Sequence, residues 1–170
     1  RADLPVGNTP RTVACWLKLN KSSTLQQLPF VYGTMESDDA FYIIADHRSG
    51  KPCIGNPGGA REPLVNTTIV DSQWHHVALV HDGSHTRFFT DGIEKLSHPK
   101  SYRTSWSDYG RKLEQRARLG EHCDGMIDDF VIVKRALTSS ELSNLMNDGA
   151  ASLKRPRTPG NSEPSWLTKG

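Results

Sequence analysis

From Arg11 to Leu19 the chain alternates: Val13, Cys15, Leu17 and Leu19 fall on one side of an extended segment, Thr12, Ala14, Trp16 and Lys18 on the other. Short apolar runs bounded by turn residues recur through residue 133. They predict many short strands, the pattern of an all-β sandwich or jelly roll. FVYGT (30–34) and FYIIAD (41–46) flank the acidic loop MESDD, and GKPCIGNPGGAREP (50–63) predicts a turn and a loop around a very short strand. The clearest pattern starts at Trp74, where WHHVALV predicts a strand, Asp82-Gly83-Ser84 a turn, HTRFFT a strand, and Asp91-Gly92 a tight turn into IEKL. Asp-Gly between alternating strands signals a hairpin because glycine accepts positive φ, so this region is an antiparallel meander.

A long polar segment (97–116) precedes further strands over ARLGE and GMIDDFVIV. Residues 138–149 then change period. Leu142, Leu145 and Met146 form a helical stripe, Thr138 and Glu141 match a capping box, and Gly149 stops the helix. The expected organisation is one domain over 1–150 and a basic, Pro/Ser/Gly-rich tail over 151–170, whose Trp166 and Leu167 can anchor it to the domain or to a partner.

Composition narrows the functional classes. A chain of 170 residues suits one domain with a real core. A formal charge of +2 gives no electrostatic case for nucleic acid, and no apolar run reaches the length of a membrane span. The chain starts at Arg1 rather than Met, as a processed product or an excised domain would. Cys15, Cys53 and Cys123 have neither zinc spacing nor the density of a disulfide framework. Three buried thiols, or one disulfide and one free thiol, both fit. Asn20-Lys21-Ser22 and Asn66-Thr67-Thr68 match the glycosylation acceptor pattern.

The stretch WHHVALVHDG (74–83) gathers three histidines, a tryptophan and a carboxylate. On a strand His75, Val77, Leu79 and His81 point one way and Trp74, His76, Ala78 and Val80 the other, so the histidines cannot converge on one metal. The expectation is a half-buried strand with hydrogen-bonded imidazoles and a core tryptophan.

WHHVALVHDG, then TRFFTDG, RLG and GMIDDFVIVKRALTSSEL, in that order, resembles the laminin G-like domains of the concanavalin A-like jelly-roll superfamily. RTVACWLK resembles that family's first core strand, with Trp16 in its usual place, and the likeness covers roughly 11–148. It implies two antiparallel sheets packed face to face, one curved into a concave surface. It also implies that the Trp74 strand is scaffold. In relatives of the fold, its glucanases included, an Asp at the matching point of the last strand binds a structural calcium. By that resemblance Asp128 is the metal candidate, with backbone carbonyls of an N-terminal segment completing the oxygen shell. Asp38 and Asp39 form a second acidic loop.

Ligand contact is expected elsewhere. The segment 97–116 carries Tyr102, Trp106 and Tyr109 among Arg, Ser and Asp. Flat rings stack on sugars while polar neighbours bind hydroxyls, although the same residues suit a protein interface. His85 and GNPGGARE (55–62) are rim candidates. The Glu-x-Asp-x-x-Glu string of the fold's glucanases is absent, as are nucleophile-elbow, phosphate-loop and zinc-protease motifs, so catalysis is not expected. The reading is a non-catalytic carbohydrate-binding or adhesion module of an extracellular or cell-surface protein, recognising a glycan or glycoprotein. A protein-interaction module built on the same sandwich and tail is the alternative, and polysaccharide hydrolysis a distant third.

Overall fold

Alternation along Arg11–Leu19 (β1) carries Val13, Cys15, Leu17 and Leu19 into the interior, all fully buried. The computed structural model describes residues 4–21, 26–33, 40–46, 48–54, 65–105, 107–108, 111–112 and 117–153. After β1 come Gln27–Gly33 (β2), Ala40–Ala45 (β3), the two-residue Pro52–Cys53 (β4), Trp74–His81 (β5), His85–Thr90 (β6) and Ile93–Pro99 (β7). Two short strands, Ser107–Asp108 (β8) and Arg111–Lys112 (β9), form a ribbon before Ala117–Glu121 (β10) and Gly125–Val133 (β11). Helix Ser139–Asp148 (α1) follows, with a single 3-10 turn at Ala150–Ser152.

The strands make two antiparallel sheets, ordered β11-β1-β5-β6-β7 and β10-β2-β3-β4. Their inner faces meet in one core, where Phe30, Tyr32, Phe41 and Ile43 oppose Leu17, Val77, Leu79 and Phe88. Each fully buried Phe or Leu contributes about 1.5–3 kcal/mol. The sequence expectation of an all-β jelly-roll sandwich with one late helix holds.

Local chemistry fixes the turns and the helix. Asp91 (φ 52°) and Gly92 (φ 76°) both adopt the positive φ of the primed hairpin turn that joins β6 to β7. In the β5–β6 turn Asp82 accepts hydrogen bonds from the His85 and Ser84 N–H groups and the Ser84 hydroxyl, which hold its carboxyl down to about 2. At α1 the Thr138 hydroxyl accepts the Glu141 N–H (3.2 Å) while the Glu141 carboxylate accepts the Thr138 N–H (2.9 Å), the reciprocal capping box. The helix lays Leu142 and Leu145 on Ala14, Ala78, Val80 and Phe89, covering one half of the outer face of the five-stranded sheet. Gly125 faces Leu19 across the β1–β11 ladder. A Cβ there would stand 2.0 Å from the Lys18 carbonyl oxygen, so the strands can approach this closely only at glycine.

Two features depart from the expectations. The outer face of the four-stranded sheet carries Leu28, Val31, Ala40, Tyr42 and Ile44, none more than 8% exposed, so these side chains are not offered to a ligand as an open concave surface would offer them. Simple alternation also fails on β11. Ala14 pairs with Val131 and Trp16 with Asp128, so β11 carries one residue more than β1 between these pairs, and Asp129 sits there with φ 47°. This β-bulge interrupts the alternation, and both Asp128 and Asp129 are exposed. Cys15, Cys53 and Cys123 form no disulfide with one another. Cys15 is fully buried and the other two half-buried. The expected tail lies largely outside the described residues, which end at Leu153.

Candidate functional site

Beyond the reach of α1, the outer face of the five-stranded sheet presents a two-row grid. Lys18 on β1 stands between Trp74 on β5 and Met126 on β11, and Trp16 between His76 and Asp128. Residues directly opposite in antiparallel strands share a face, here the face on which Ala14 and Ala78 support the helix. With strands about 4.8 Å apart, each row is about 10 Å wide, and the rows lie about 7 Å apart along the strands. Trp74 is 42% exposed and Met126 51%, Asp128 is exposed, and Trp16 and Lys18 are half-buried.

His76 forms the floor of this platform. It is only 3% exposed, with the Trp16 ring standing against it at 5.4 Å and 67°. Burial lowers its pKa, against the opposing influence of Asp91 and Asp129, so the imidazole is neutral at neutral pH and offers one donor and one acceptor nitrogen. Among the described residues those nitrogens have no hydrogen-bond partner. The platform therefore combines flat apolar rings with an uncommitted imidazole, an ammonium and a carboxylate at its borders. Such a surface can stack a planar, hydroxylated ligand and hydrogen-bond its edges.

His75, on the other side of the strand, has a different task. Its Nδ1 lies 2.8 Å from Asp91 Oδ2 and its Nε2 3.1 Å from Asp71 Oδ1. Burial opposes its charge, but the hydrogen bonds from Asp91 and Asp71 outweigh it and raise the pKa. Asp91 also accepts the His76 N–H (2.9 Å), so this cluster fixes the start of β5 where Trp74 emerges. His81 is buried at the far end of β5, 2.8 Å from Asn8 Oδ1 and 3.2 Å from the Thr86 hydroxyl. The three histidines are thus dispersed, as alternation requires. Trp74, however, is an exposed side chain rather than the expected core tryptophan.

Of the residues expected to contact ligand, the structure describes Tyr102 and His85, and only His85 is exposed. Tyr102 is 3% exposed, wedged between Phe41 (5.2 Å) and His81 (4.9 Å), with Arg11 5.9 Å and Lys100 5.4 Å from its ring centre. A ring enclosed in this way cannot stack on a sugar, so Tyr102 is a core residue. Its neighbour Arg11 is itself fully buried and binds the Pro5, Gly7 and Thr9 carbonyls and the Tyr32 hydroxyl, tying the N-terminal segment to the sandwich. His85 is exposed beside Ser84 at the β5–β6 turn, at the opposite end of β5 from Trp74. Trp106, Tyr109, Asp38, Asp39 and 55–62 lie outside the residues whose side chains are described.

Asp128, the metal candidate, borders the platform. Its Oδ1 accepts the Asp129 N–H at 2.8 Å, and among the described residues no three His, Cys, Asp or Glu side chains come together as a metal site. In the N-terminal segment, the Pro5 and Gly7 carbonyls are already engaged. They bind Arg11 at the far end of β1, five residues from Trp16. Sequence reasoning missed the platform because large apolar side chains on a core strand read as core. The available signal was Lys18, a charged residue on the same face as Trp16.

Comparison with known proteins agrees with this architecture. A family model described as the concanavalin A-like lectin/glucanases superfamily matches residues 2–143. No curated protein matches the chain. Among solved structures, domain 4 of AbnA, an extracellular arabinanase from Geobacillus stearothermophilus solved in complex with arabinotriose, is similar at 20% identity. Its TM-score is 0.59, over 84% of this chain and 68% of that one. A candidate carbohydrate-binding protein from Bacteroides ovatus is 15% identical with a TM-score of 0.60, over 83% of this chain but only 42% of its own. A heptameric pentraxin from Limulus polyphemus is 16% identical with a TM-score of 0.53, over 82% of this chain and 70% of its own. At these identities the likeness is one of fold.

Proposed function

The chain belongs to the concanavalin A-like lectin/glucanases superfamily, and from that premise we propose that it is a carbohydrate-binding module whose glycan lies across Trp74 and Trp16. The observation that carries this reading is the exposed Trp74 ring, sharing one sheet face with Trp16 and with His76, whose ring nitrogens have no hydrogen-bond partner among the described residues. A sugar ring stacked on an exposed aromatic ring removes apolar surface from water, and the imidazole supplies the directional bond that apolar stacking lacks. The arabinotriose complex of the similar arabinanase domain supports the same ligand class.

The module binds without catalysing. Glycoside hydrolysis sets two carboxyl groups on opposite sides of the scissile bond, about 5 Å or more apart, whereas Asp128 and Asp129 are successive residues of one bulge on the strand at the sheet's edge. An extracellular or cell-surface setting is the natural one for such a module.

A glycan array followed by titration calorimetry on the best oligosaccharide tests the proposal. Trp74→Ala should weaken binding about tenfold or more, equivalent to about 1.4 kcal/mol, with an unchanged melting midpoint because the side chain is exposed. Trp106→Ala tests the rival location in the 97–116 segment. Full affinity in Trp74→Ala with loss in Trp106→Ala would move the site to that loop. Silence across the array, together with stable oligomers by light scattering, would favour the protein-interaction alternative.

A further inference from the structure

At the Trp74 end of the sandwich a second feature lies close to the platform. Lys21, Arg48, Ser49, Gly50 and Val70 line a cavity of about 110 Å³. It has room for ordered water or for one small charged group. Its walls are fixed by the main chain. Gly50 N–H donates to the Asp46 carbonyl (2.8 Å), Ile69 N–H to the Gly50 carbonyl (3.0 Å), and Ser72 N–H to the Leu19 carbonyl (2.9 Å). Gly50 is held at φ 68°, and a Cβ there would meet the Thr68 hydroxyl at 2.9 Å.

The charges around this cavity are unbalanced. Lys21 and Arg48 are exposed and have no carboxylate partner among the described residues. The nearby acids are already engaged. Asp46, 5% exposed, accepts the Arg48 and Ser49 N–H groups and the Ser49 hydroxyl on one oxygen, and Asp71 binds His75. Lys51, the next cation along, bonds Asn66 Oδ1. An arginine fork and a lysine facing one small cavity suit a carboxylate or sulfate, to which both can donate charge-assisted hydrogen bonds.

The cavity is also within reach of the platform. Val70 is four residues from Trp74 and Lys21 three from Lys18, so the chain can separate them by no more than about 14 Å and about 11 Å. One or two sugar units span such distances. We infer that this pocket receives the anionic substituent of the bound glycan, making the module selective for acidic saccharides, uronate-bearing or sulfated, over neutral ones. The inference rests on the platform reading for the sugar and on the Lys21–Arg48 pair for the charge.

The test compares an oligosaccharide carrying a uronate or sulfate with its neutral counterpart. It uses the wild-type chain, the Lys21→Gln/Arg48→Gln double variant and Trp74→Ala. The wild type should prefer the charged sugar about tenfold, and added salt should erode the preference. The double variant should bind both sugars at the neutral sugar's affinity, and Trp74→Ala should weaken both alike. Equal affinities in the wild type, or a preference that survives the double substitution, would overturn the pocket assignment and leave the platform standing. If no sugar binds, the platform reading fails, and inorganic sulfate then probes the pocket alone. Amide shifts at Arg48, Ser49 and Gly50 that the double variant abolishes would uphold an anion site there, and their absence would end it.

Discussion

Trp74 and His75 are neighbours in the chain and sit on opposite faces of one strand. The tryptophan is displayed to solvent, and the imidazole is clasped between Asp71 and Asp91. Because the folded-state pKa of His75 is raised, its protonated form stabilises the fold. That contribution is complete below the ordinary histidine value of about 6.5 and fades as the pH rises past the higher folded value. His75→Gln should therefore lower the melting midpoint more at about pH 5.5 than at about pH 9. Equal losses at the two pH values would show that the ion pairs contribute nothing beyond hydrogen bonding. Asp128 and Asp129 teach a different lesson at this scale. Strict alternation would point them in opposite directions, and the bulge, with Asp129 at φ 47°, leaves both exposed.

Among the elements, α1 depends most on local chemistry, and its features were legible in advance. Thr138, Glu141 and the Leu142/Leu145 stripe are all within ten residues of one another, and each behaves as its spacing requires. Arg135 reinforces the cap. Its guanidinium lies 2.7 Å from Glu141, and with the Thr138 N–H it holds that carboxyl down to about 2. Thr138→Ala should cost about 1 kcal/mol and lower the melting midpoint by about 2–4 °C, with Thr138→Ser restoring most of it. A midpoint unchanged by the alanine would mean that packing against the sheet alone holds the helix. The segment 97–116 is the contrasting case. Its aromatics read as a binding loop, but Tyr102 fills the space between Phe41 and His81, a role set by residues 61 and 21 positions away.

For the molecule as a whole, the buried thiols report on how the two sheets come apart. Burial pushes Cys15 up to about 12 and Cys123 to about 11, and Cys15 is sealed between the sheets. Thiolate is the reactive form, so Cys15 should be labelled by a thiol reagent only when the sandwich opens globally. Its labelling rate should follow the stability measured in denaturant. Rapid labelling of Cys15 in the native protein would reveal local opening of β1 instead.

Period-two alternation, Asp-Gly turns and the capping box were sufficient for the strands, the meander and the helix, because each of these is set by residues close together in the chain. The family followed from the order of the same motifs. The platform and the basic cavity were not available from the sequence, since each joins side chains from different strands or loops. Whether a tryptophan on a strand is core or surface depends on what covers that face. Here α1 stops short of Trp16 and Trp74, while the matching face of the other sheet is closed. Only tertiary packing decides where a helix ends relative to a sheet, and that boundary is what leaves the candidate site open.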